Sequence, residues 1–400
     1  MWWATLWLGL IGFGGGVSVL GMIGHLAVER RGWLTEREFT NTATVAQMLP
    51  GGAAANALAH VGLRLRGLIG AIVAYTGFIL PGALLIVALA WAYVRFGVAP
   101  SAEVVLAGLN AAVVGIVAAL ALRMVRSAIG RFWQMGVAGA ALLLSLEGGA
   151  GSGEIALLGV VAGLVIDLLF KRARLARFRR VPRSPSPPVA LPDEGAPLEP
   201  LAAERSHREP PTLGAVLPLG LVAKVGVGSL LALGLLFFRT GLGAYGGGFA
   251  IVPSLHDTAV TAGWITERQF QSAVAVGKLT PGPVLLMATF IGYLVHGWSG
   301  ALVATFTIFA APFGLVVSLG SWLLRMRSRR SVRAALRGLT PAVVGLMAAA
   351  AVTLGSSLRS PADIALSVVT LLTLSRFATN PVMVLLVAGL LRWLLSLAGV

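Results

Sequence analysis

Residues 47–52 read Gln47-Met48-Leu49-Pro50-Gly51-Gly52, and residues 278–283 read Lys278-Leu279-Thr280-Pro281-Gly282-Pro283. Each stretch places Pro-Gly inside an apolar segment, near residues 40–63 and 270–296, that is long enough to cross a membrane. Proline breaks a helix and is well placed in the first turn of a new one. The two stretches therefore predict two membrane helices broken at matched places.

The composition indicates an all-α polytopic membrane protein. Hydrophobic residues make up 57% of the 400-residue chain and charged residues only 12%. Apolar runs of the length needed to cross a bilayer recur throughout, and they predict about ten to twelve spans. The net charge of +16 clusters at the ends of these runs, which is typical of cytoplasmic loops and of contact with anionic lipid rather than nucleic acid. The chain has no cysteine, which excludes disulfides and thiolate metal sites.

The chain contains the same set of motifs twice. A glycine block, Gly14-Gly15-Gly16, recurs 232 residues later as Gly246-Gly247-Gly248. A tryptophan block, residues 32–39, recurs 231 residues later as residues 263–270. These blocks and the Pro-Gly sites predict two homologous helical repeats, residues 1–170 and 213–400. Duplicated apolar halves with matched Gly and Pro interruptions are typical of secondary transporters, whose binding site lies at the interrupted segments.

Residues 171–212 are predicted to be a flexible cytoplasmic linker, because they are basic and rich in proline. The dense arginine cluster of residues 325–337 favours the cytoplasmic side, whereas its counterpart near Arg95 is expected outside. This contrast favours inverted halves. A simple count of spans gives both halves the same orientation, so inversion requires one odd element, such as a re-entrant segment at the glycine or Pro-Gly sites.

The Pro-Gly sites are predicted to bind an anion, because a helix that begins at membrane depth presents unpaired N–H groups and its positive dipole end. An ordinary proline kink is the alternative at either site. The predicted substrate-binding residues are Gln47, Pro50, Gly51, Gly52, Asn56, His60, Arg64, Lys278, Thr280, Pro281, Gly282 and Pro283.

The side-chain contributions of the two halves are predicted to differ. Asn56, His60 and Arg64 fall on one helix face, with a spacing of four residues. Lys278 occupies the position of Gln47 and adds positive charge beside the second break. Ionisable residues within a membrane are costly and usually functional. The alternative for Arg64 is that its side chain reaches the interface as a marker of the cytoplasmic side.

A second set of residues is predicted to serve gating or packing. The threonines of the tryptophan blocks, with Glu38 and Gln269 three residues later, predict capping boxes at the start of short surface helices. Asp257 is a candidate coupling carboxylate, and Asp167 is expected to pair with Lys171 one turn later. The gating or packing set comprises Gly14, Gly15, Gly16, Trp33, Glu36, Gly246, Gly247, Gly248, Asp257, Trp264 and Glu267.

The sequence contains no Walker A motif, no His-Glu-x-x-His motif and no Gly-x-Ser-x-Gly motif. We therefore expect a protein that is not an enzyme, has no cofactor or resident metal, and moves its substrate with an ion gradient.

At these motifs the sequence resembles the CHR family of chromate ion transporters, in its two-domain, long-chain form. The most specific stretch is residues 280–293, which contain Thr280-Pro281-Gly282-Pro283 and Ala288-Thr289-Phe290-Ile291-Gly292-Tyr293. The sequence departs from the family pattern at Gly16 and Gly52, where proline is usual, and at Lys278, where glutamine is common. The family's acidic pair before the tryptophan block is replaced by Gly24-His25 and by His256-Asp257.

The resemblance implies export of chromate, a tetrahedral oxyanion resembling sulfate, across the bacterial inner membrane by an ion-coupled carrier. The expected partners are the oxyanion, a coupling ion of unknown identity, the lipid bilayer and a second copy of the chain in a homodimer; nucleic acid is not expected. The alternatives are uptake of sulfate or molybdate by the same fold, and a membrane sensor that binds an oxyanion without moving it.

Overall fold

The computed structural model describes residues 1–12, 16–97, 100–148, 150–179, 229–261, 263–326, 329–358, 360–377 and 379–398. All regular secondary structure in these ranges is helical, which confirms the predicted all-α class. The predicted glycines Gly14 and Gly15, and residues 180–212 of the predicted linker, lie outside the described residues. Residues 171–179 continue helix α7, so the described backbone of the predicted linker begins as helix.

The described residues of the first half form seven α-helices. They are α1 (Trp2–Ile11), α2 (Gly16–Gly24), α3 (Glu36–Met48), α4 (Ala53–Phe96), α5 (Pro100–Ala128), α6 (Phe132–Leu146) and α7 (Ser152–Arg179). A π-helix, His25–Arg30, continues α2.

The described residues of the second half also form seven α-helices. They are α8 (Leu230–Leu242), α9 (Val252–His256), α10 (Glu267–Leu279), α11 (Met287–Met326), α12 (Arg330–Gly355), α13 (Pro361–Arg376) and α14 (Pro381–Leu397). Short 3-10 segments, Gly246–Ile251 and Val284–Leu286, precede α9 and α11, and a π-helix, Asp257–Thr261, follows α9.

Five helical segments among the described residues are long and apolar enough to cross a membrane. They are Ala53–Phe96, Ala102–Ser127, Ser152–Phe170, Val284–Met326 and Arg330–Gly355. Four further apolar helices are shorter, and many large apolar side chains on these helices are exposed. Exposed apolar faces on so many helices are expected where lipid is the solvent. The chain is therefore a multi-pass membrane protein.

The two Pro-Gly segments reverse the chain, and neither residues 40–63 nor residues 270–296 form a single helix. In the first half, α3 ends at Met48 and α4 begins at Ala53. Arg64 then donates to Glu38 over 2.9 Å, and Asn56 donates to the carbonyl of Ala46 over 3.2 Å. These pairs make α3 antiparallel to the beginning of α4. We call residues 36–65 hairpin 1, with its tip at residues 49–52.

Residues 267–295 form hairpin 2, with its tip at residues 280–283. The helix on the way in, α10, has 13 residues, as does α3 in hairpin 1. At 1.5 Å per residue, 13 residues span roughly 20 Å, less than the ~30 Å of a hydrocarbon core. Each hairpin is therefore too short to cross a bilayer and return.

A second reversal closes each hairpin at its base. Arg66 and Gly67 interrupt α4, and His296 and Gly297 interrupt α11, with non-helical backbone angles. The two glycines have φ of 61° and 58°, in the left-handed region that favours glycine. After each turn a long helical arm begins, residues 68–96 in α4 and residues 298–326 in α11. The long arms pack against α1 and α8, respectively.

The predicted pairing of Asp167 with Lys171 falls on a side chain outside the described ones, and Asp167 has a partner in the second half. The carboxylate of Asp167 accepts two hydrogen bonds from Arg330, Nε at 2.9 Å and Nη2 at 3.2 Å. The side chain of Lys171 is not among the described ones. Because Arg330 begins α12, this ion pair joins the end of the first half to the second half.

Candidate functional site

The tips of the two hairpins meet between the halves. A Cβ atom on Gly52 would lie 3.1 Å from Cβ of Pro283. The glycine at position 52, where the family usually has proline, therefore leaves room for the tip of hairpin 2. A Cβ on Gly51 would lie 2.6 Å from Pro312 in the long arm of α11. A Cβ on Gly82, in the long arm of α4, would overlap the carbonyl oxygen of Pro281. Each tip is therefore held against the long arm of the opposite half.

The backbone N–H groups of the tip glycines are already hydrogen-bonded. Gly51 donates to the carbonyl of Ala244 over 2.7 Å, and Gly282 donates to the carbonyl of Gly12 over 3.2 Å. Both glycines have φ above 100°, a conformation that other residues rarely adopt. Neither of these two N–H groups is therefore free for an anion, and anion binding at the helix starts stays a prediction. As in any α-helix, the first-turn N–H groups of residues 53–55 have no acceptor within α4.

A cavity of about 400 Å³ opens at the base of hairpin 1, where α3 begins and the long arm of α11 ends. We call it the hairpin 1 cavity. Its lining has two arginines, a histidine and only one carboxylate, so it favours an anion. The lining residues are Glu38, Asn41, His60, Arg64, Ser321, Leu324 and Arg325.

Glu38 links the capping box of α3 to this cavity. One carboxylate oxygen accepts from the N–H and the hydroxyl of Thr35, each over 3.0 Å, and the other accepts from Arg64. The hydrogen bonds from Thr35, together with the charge of Arg64, hold the pKa of Glu38 below its usual value. The capping boxes at Thr35 and Thr266 are both confirmed.

His60 lies one turn below Arg64 on the wall of the same cavity and is only 2% exposed. Neither of its ring nitrogens has a hydrogen-bond partner among the described residues. The structure thus places His60 and Arg64 on one face of α4, as the sequence predicts.

Asn56 lies on the same face, but its side chain stabilises the tip of hairpin 1. Its side-chain amide nitrogen donates to the carbonyls of Ala46 and Pro50, over 3.2 and 2.8 Å. The free atom of the amide is therefore its oxygen, an acceptor, which has no partner in the described residues. This orientation argues against Asn56 as a donor to an oxyanion.

Lys278 is a buried cation on the last turn of α10, with 7% of the residue exposed. Its ammonium lies 5.1 Å from the ring centroid of Phe249, a cation–π distance. No carboxylate lies within ion-pair distance of it in the described part of the chain. Phe249 belongs to the segment that follows Ala244, the residue bonded to the first tip. Lys278 is thus close to the place where the two tips meet.

Gln47, the counterpart of Lys278, has different surroundings. Its side chain is exposed, and its amide donates to the carbonyl of Ala43 over 3.1 Å. The structure does not bring Gln47 into the cavity. Thr280 is buried and donates to the carbonyl of Val276, which closes the end of α10.

The predicted gating residues lie at the ends of the hairpins. Trp33 and Trp264 are partly buried beside the capping boxes, and Glu36 is exposed. Glu267 accepts from His256 over 2.6 Å, which ties α9 to the start of α10. Asp257 lies 3.7 Å from His256 on the other side of the ring.

The glycine blocks are partly described. Gly16 begins α2, and Gly246-Gly247-Gly248 begin a 3-10 segment. A Cβ on Gly248 would lie 2.6 Å from the side chain of Leu285, so this glycine allows close packing against hairpin 2.

A second cavity, of about 280 Å³, opens at the base of hairpin 2. We call it the hairpin 2 cavity. Arg268 pairs with Glu103 there, and Arg392 donates to Asp363 over 2.8 Å. Asn110, Gln271 and Ser272 supply further polar groups.

Sequence reasoning missed three contributors to the hairpin 1 side. Glu38 was assigned only to the capping box, Arg325 only to the basic cluster, and Thr42 to nothing. The signal for Glu38 and Thr42 was present, since residues 38, 42 and 46 have the same four-residue spacing as residues 56, 60 and 64.

Comparison with known proteins places the chain in one family. The family model described as "Chromate transporter" matches residues 1–168 and 231–393. The "Probable chromate transport protein" of Synechococcus elongatus is 31% identical, over 96% of this chain and 93% of the relative. The "Chromate transport protein" of Cupriavidus metallidurans is 30% identical, over 92% of this chain and 84% of the relative. No solved structure shows a significant match. The chain belongs to the chromate transporter family.

Proposed function

We propose that this protein is a secondary transporter that exports chromate across the bacterial inner membrane, driven by an ion gradient. The observation that carries the proposal is the meeting of two re-entrant hairpin tips between the halves. Beside them lies the buried Lys278, which has no carboxylate within ion-pair distance among the described residues. Family membership supports chromate as the oxyanion. A buried cation without a carboxylate is costly unless an anion neutralises it, so Lys278 suits a site that an oxyanion occupies in each cycle.

The oxyanion would enter at the hairpin 1 cavity. Arg64 and Arg325 line this cavity and can attract a dianion from solution. The substrate would then move toward the tips. There Lys278 would supply a positive charge, and the first-turn N–H groups of residues 53–55 would supply the positive end of the α4 dipole. Tetrahedral oxyanions are well matched by guanidinium donors, which bind two oxygens at once.

We also propose that the halves are inverted. The base of hairpin 1 lies beside Arg325, at the end of the long arm of α11 in the second half. The base of hairpin 2 lies beside Glu103, in the first turn of α5 in the first half. Because the hairpins re-enter, the count of spans no longer gives both halves the same orientation. With the arginines of residues 325–337 on the cytoplasmic side, the hairpin 1 cavity would face the cytoplasm, as an exporter requires.

The test is chromate counterflow in proteoliposomes that contain the purified protein. We expect internal chromate to stimulate the uptake of tracer chromate, and excess sulfate to compete with it. Protein-free liposomes, and liposomes with heat-denatured protein, are the controls. Tight chromate binding without counterflow would show a sensor instead of a carrier.

Direction is tested in cells. Cells that express the protein should accumulate less chromate than cells with an empty vector if it exports. Greater accumulation of chromate, sulfate or molybdate would favour the uptake carrier, the second function that this fold could serve.

A further inference from the structure

Unpartnered polar atoms are concentrated inside hairpin 1. Apart from two tryptophan ring nitrogens, the buried side-chain polar atoms without a partner in the described residues are Thr42 Oγ1, Asn56 Oδ1 and both nitrogens of His60. Thr42 and Asn56 are fully buried, and His60 is nearly so. Most buried polar groups in proteins are hydrogen-bonded, so this group of three residues requires an explanation.

The three side chains form one column. Glu38 pairs with Arg64, and Ala46 pairs with Asn56, on the two antiparallel helices of the hairpin. Thr42 lies midway between Glu38 and Ala46, and His60 lies midway between Asn56 and Arg64. The register therefore sets Thr42 opposite His60. The column leads from the hairpin 1 cavity, which His60 lines, to the tip, which Asn56 holds.

Hairpin 2 shows that the fold does not need this column. The positions matched by the 231-residue offset hold Ala273, Met287, Ile291 and Val295, all apolar. The first three are fully buried, and the hairpin turns at its base with the same backbone geometry. Asn56 holds the tip of hairpin 1, but Thr42 and His60 therefore serve something other than the folding of a hairpin.

The chemistry of the column suits a proton. Two backbone carbonyls fix the amide of Asn56, so that its oxygen faces the interior as an acceptor and disfavours an oxyanion. A neutral histidine has one acceptor nitrogen and can take a proton there. A threonine hydroxyl both donates and accepts, so Thr42 can link His60 to water. A metal ion is less suited, since no cluster of three His, Asp or Glu side chains that could hold one occurs in the described residues.

We infer that His60 is a proton-binding site that fills together with the transported oxyanion, so that one proton accompanies each dianion. The charged groups that face His60 support this pairing: Glu38 from α3, Arg64 from its own helix and Arg325 from α11. The other residues that line the cavity or contact His60 are uncharged: Asn41, Ser321, Leu324 and Gly320. Thr42, opposite the ring in the register of the hairpin, is uncharged as well. In the empty cavity, the positive charges of Arg64 and Arg325 outnumber the one carboxylate and therefore disfavour a protonated His60. A bound dianion adds two negative charges, so that the protonated ring is favoured.

Binding linkage is reciprocal, so the proton raises oxyanion affinity as much as the oxyanion raises proton affinity. The transported unit then carries one negative charge outward. An inside-negative membrane potential favours this export by about 2.3 kcal/mol per 100 mV, which is half of its contribution to the bare dianion. The membrane potential, not an inward proton gradient, then drives the export.

The experiment rests on the proposed function and measures chromate and protons together. Proteoliposomes with an entrapped pH dye would be given a chromate gradient at mildly alkaline pH, where chromate is fully a dianion, with the potential clamped by valinomycin and potassium. The wild-type protein should move protons with chromate, in the same direction, at one proton per chromate. His60→Ile, which copies Ile291 of hairpin 2, should still exchange chromate with several-fold weaker affinity and should move no protons.

Two further variants guard against a folding defect. His60→Gln keeps a polar side chain of similar size without a titratable group, and should also abolish proton movement. Thr42→Ala, which copies Ala273, should slow proton movement more than chromate movement. Chromate movement without protons in the wild-type protein, or proton movement that persists in both His60 variants, would overturn the inference and leave the proposed function intact. Absence of chromate movement in the wild-type protein would instead overturn the proposed function.

Discussion

Lys278 is a single residue at which the two halves of the chain differ in chemistry. Its counterpart Gln47 is exposed, whereas Lys278 is buried against Phe249 without a carboxylate in ion-pair range in the described residues. A charge in such a place costs free energy in the empty protein. The cost is offset when an anion arrives, which makes Lys278 the residue whose removal should most affect affinity and least affect folding.

We expect Lys278→Gln to weaken chromate binding about tenfold or more, because a hydrogen bond to a charged group contributes about 1.5–3 kcal/mol. The measurement is the concentration of chromate that half-saturates counterflow. Arg376→Gln is the matched control, since it removes the same charge from an exposed position at the end of α13. Equal effects of the two substitutions would mean that Lys278 acts only through the overall charge of the protein.

His256 provides a prediction on pH. The hydrogen bond to Glu267, opposed by burial and supported by the charges of Glu267 and Asp257, raises the pKa of His256 above its ordinary value. A raised folded-state pKa means that the stabilisation is fully present below the unfolded pKa of ~6.5 and is lost as pH rises through the folded value.

We therefore expect His256→Gln to lower the melting temperature most at about pH 6 and progressively less toward alkaline pH. At pH 6 the loss in free energy of unfolding should be about 1 kcal/mol. Thermal unfolding in detergent over a pH series measures this. His25→Gln is the control, because the His25–Glu29 pair is exposed and such pairs contribute little. A pH-independent difference between wild type and His256→Gln would show that the contact with Glu267 does not depend on charge.

Much of the residue-level pattern could be predicted from sequence, and the parts that could not share one cause. The helical spacing of Asn56, His60 and Arg64 placed them on one face, which the structure shows. Glu38, which pairs with Arg64, is 26 residues away on another helix. Arg325, which lines the same cavity, belongs to the other half. Sequence spacing carries no information on such contacts until the direction of each helix is known.

At the scale of elements, the hairpins show why the apolar runs were misread. A Pro-Gly break has the same sequence signature whether the chain continues forward or turns back. The deciding quantity is the length of the helix before the break. The capping box starts α3 at Glu36 and the break ends it at Met48, which leaves 13 residues and roughly 20 Å, too short to span.

The base of each hairpin depends on a pair of facing glycines. A Cβ on Gly62 would overlap the carbonyl oxygen of Gly70, and a Cβ on Gly292 would overlap that of Gly300. We expect Gly62→Ala to destabilise the protein by about 1–3 kcal/mol, because the two helices must separate. Gly314→Ala, in an open part of the long arm of α11, should be neutral or stabilising by up to about 1 kcal/mol.

Thermal unfolding of the two glycine variants in the same detergent compares them directly. A melting temperature for Gly62→Ala equal to that of Gly314→Ala would mean that the hairpin base opens without cost. The close packing of Gly62 against Gly70 would then not be what holds hairpin 1 closed.

At the scale of the whole molecule, the proposed inversion assigns the two cavities to opposite membrane faces. The hairpin 1 cavity would face the cytoplasm with the arginine cluster, and the hairpin 2 cavity would face the other side. Sequence alone favoured inversion through charge and opposed it through the count of spans. The re-entrant hairpins remove that conflict, because each one begins and ends on the same face.

The natural absence of cysteine allows a direct test of this arrangement. We expect Ser321→Cys, in the hairpin 1 cavity, to react with a membrane-impermeant maleimide only from the cytoplasmic side. Gln271→Cys, in the hairpin 2 cavity, should react only from the opposite side. Ala350→Cys, which is fully buried in α12, is the control and should stay unlabelled in the folded protein.

Right-side-out and inside-out vesicles separate the two faces of the membrane. Chromate should protect Ser321→Cys from labelling, because chromate occupies the same cavity. Labelling of both cavity positions from one side would contradict inversion, since parallel halves place both hairpin bases on the same face.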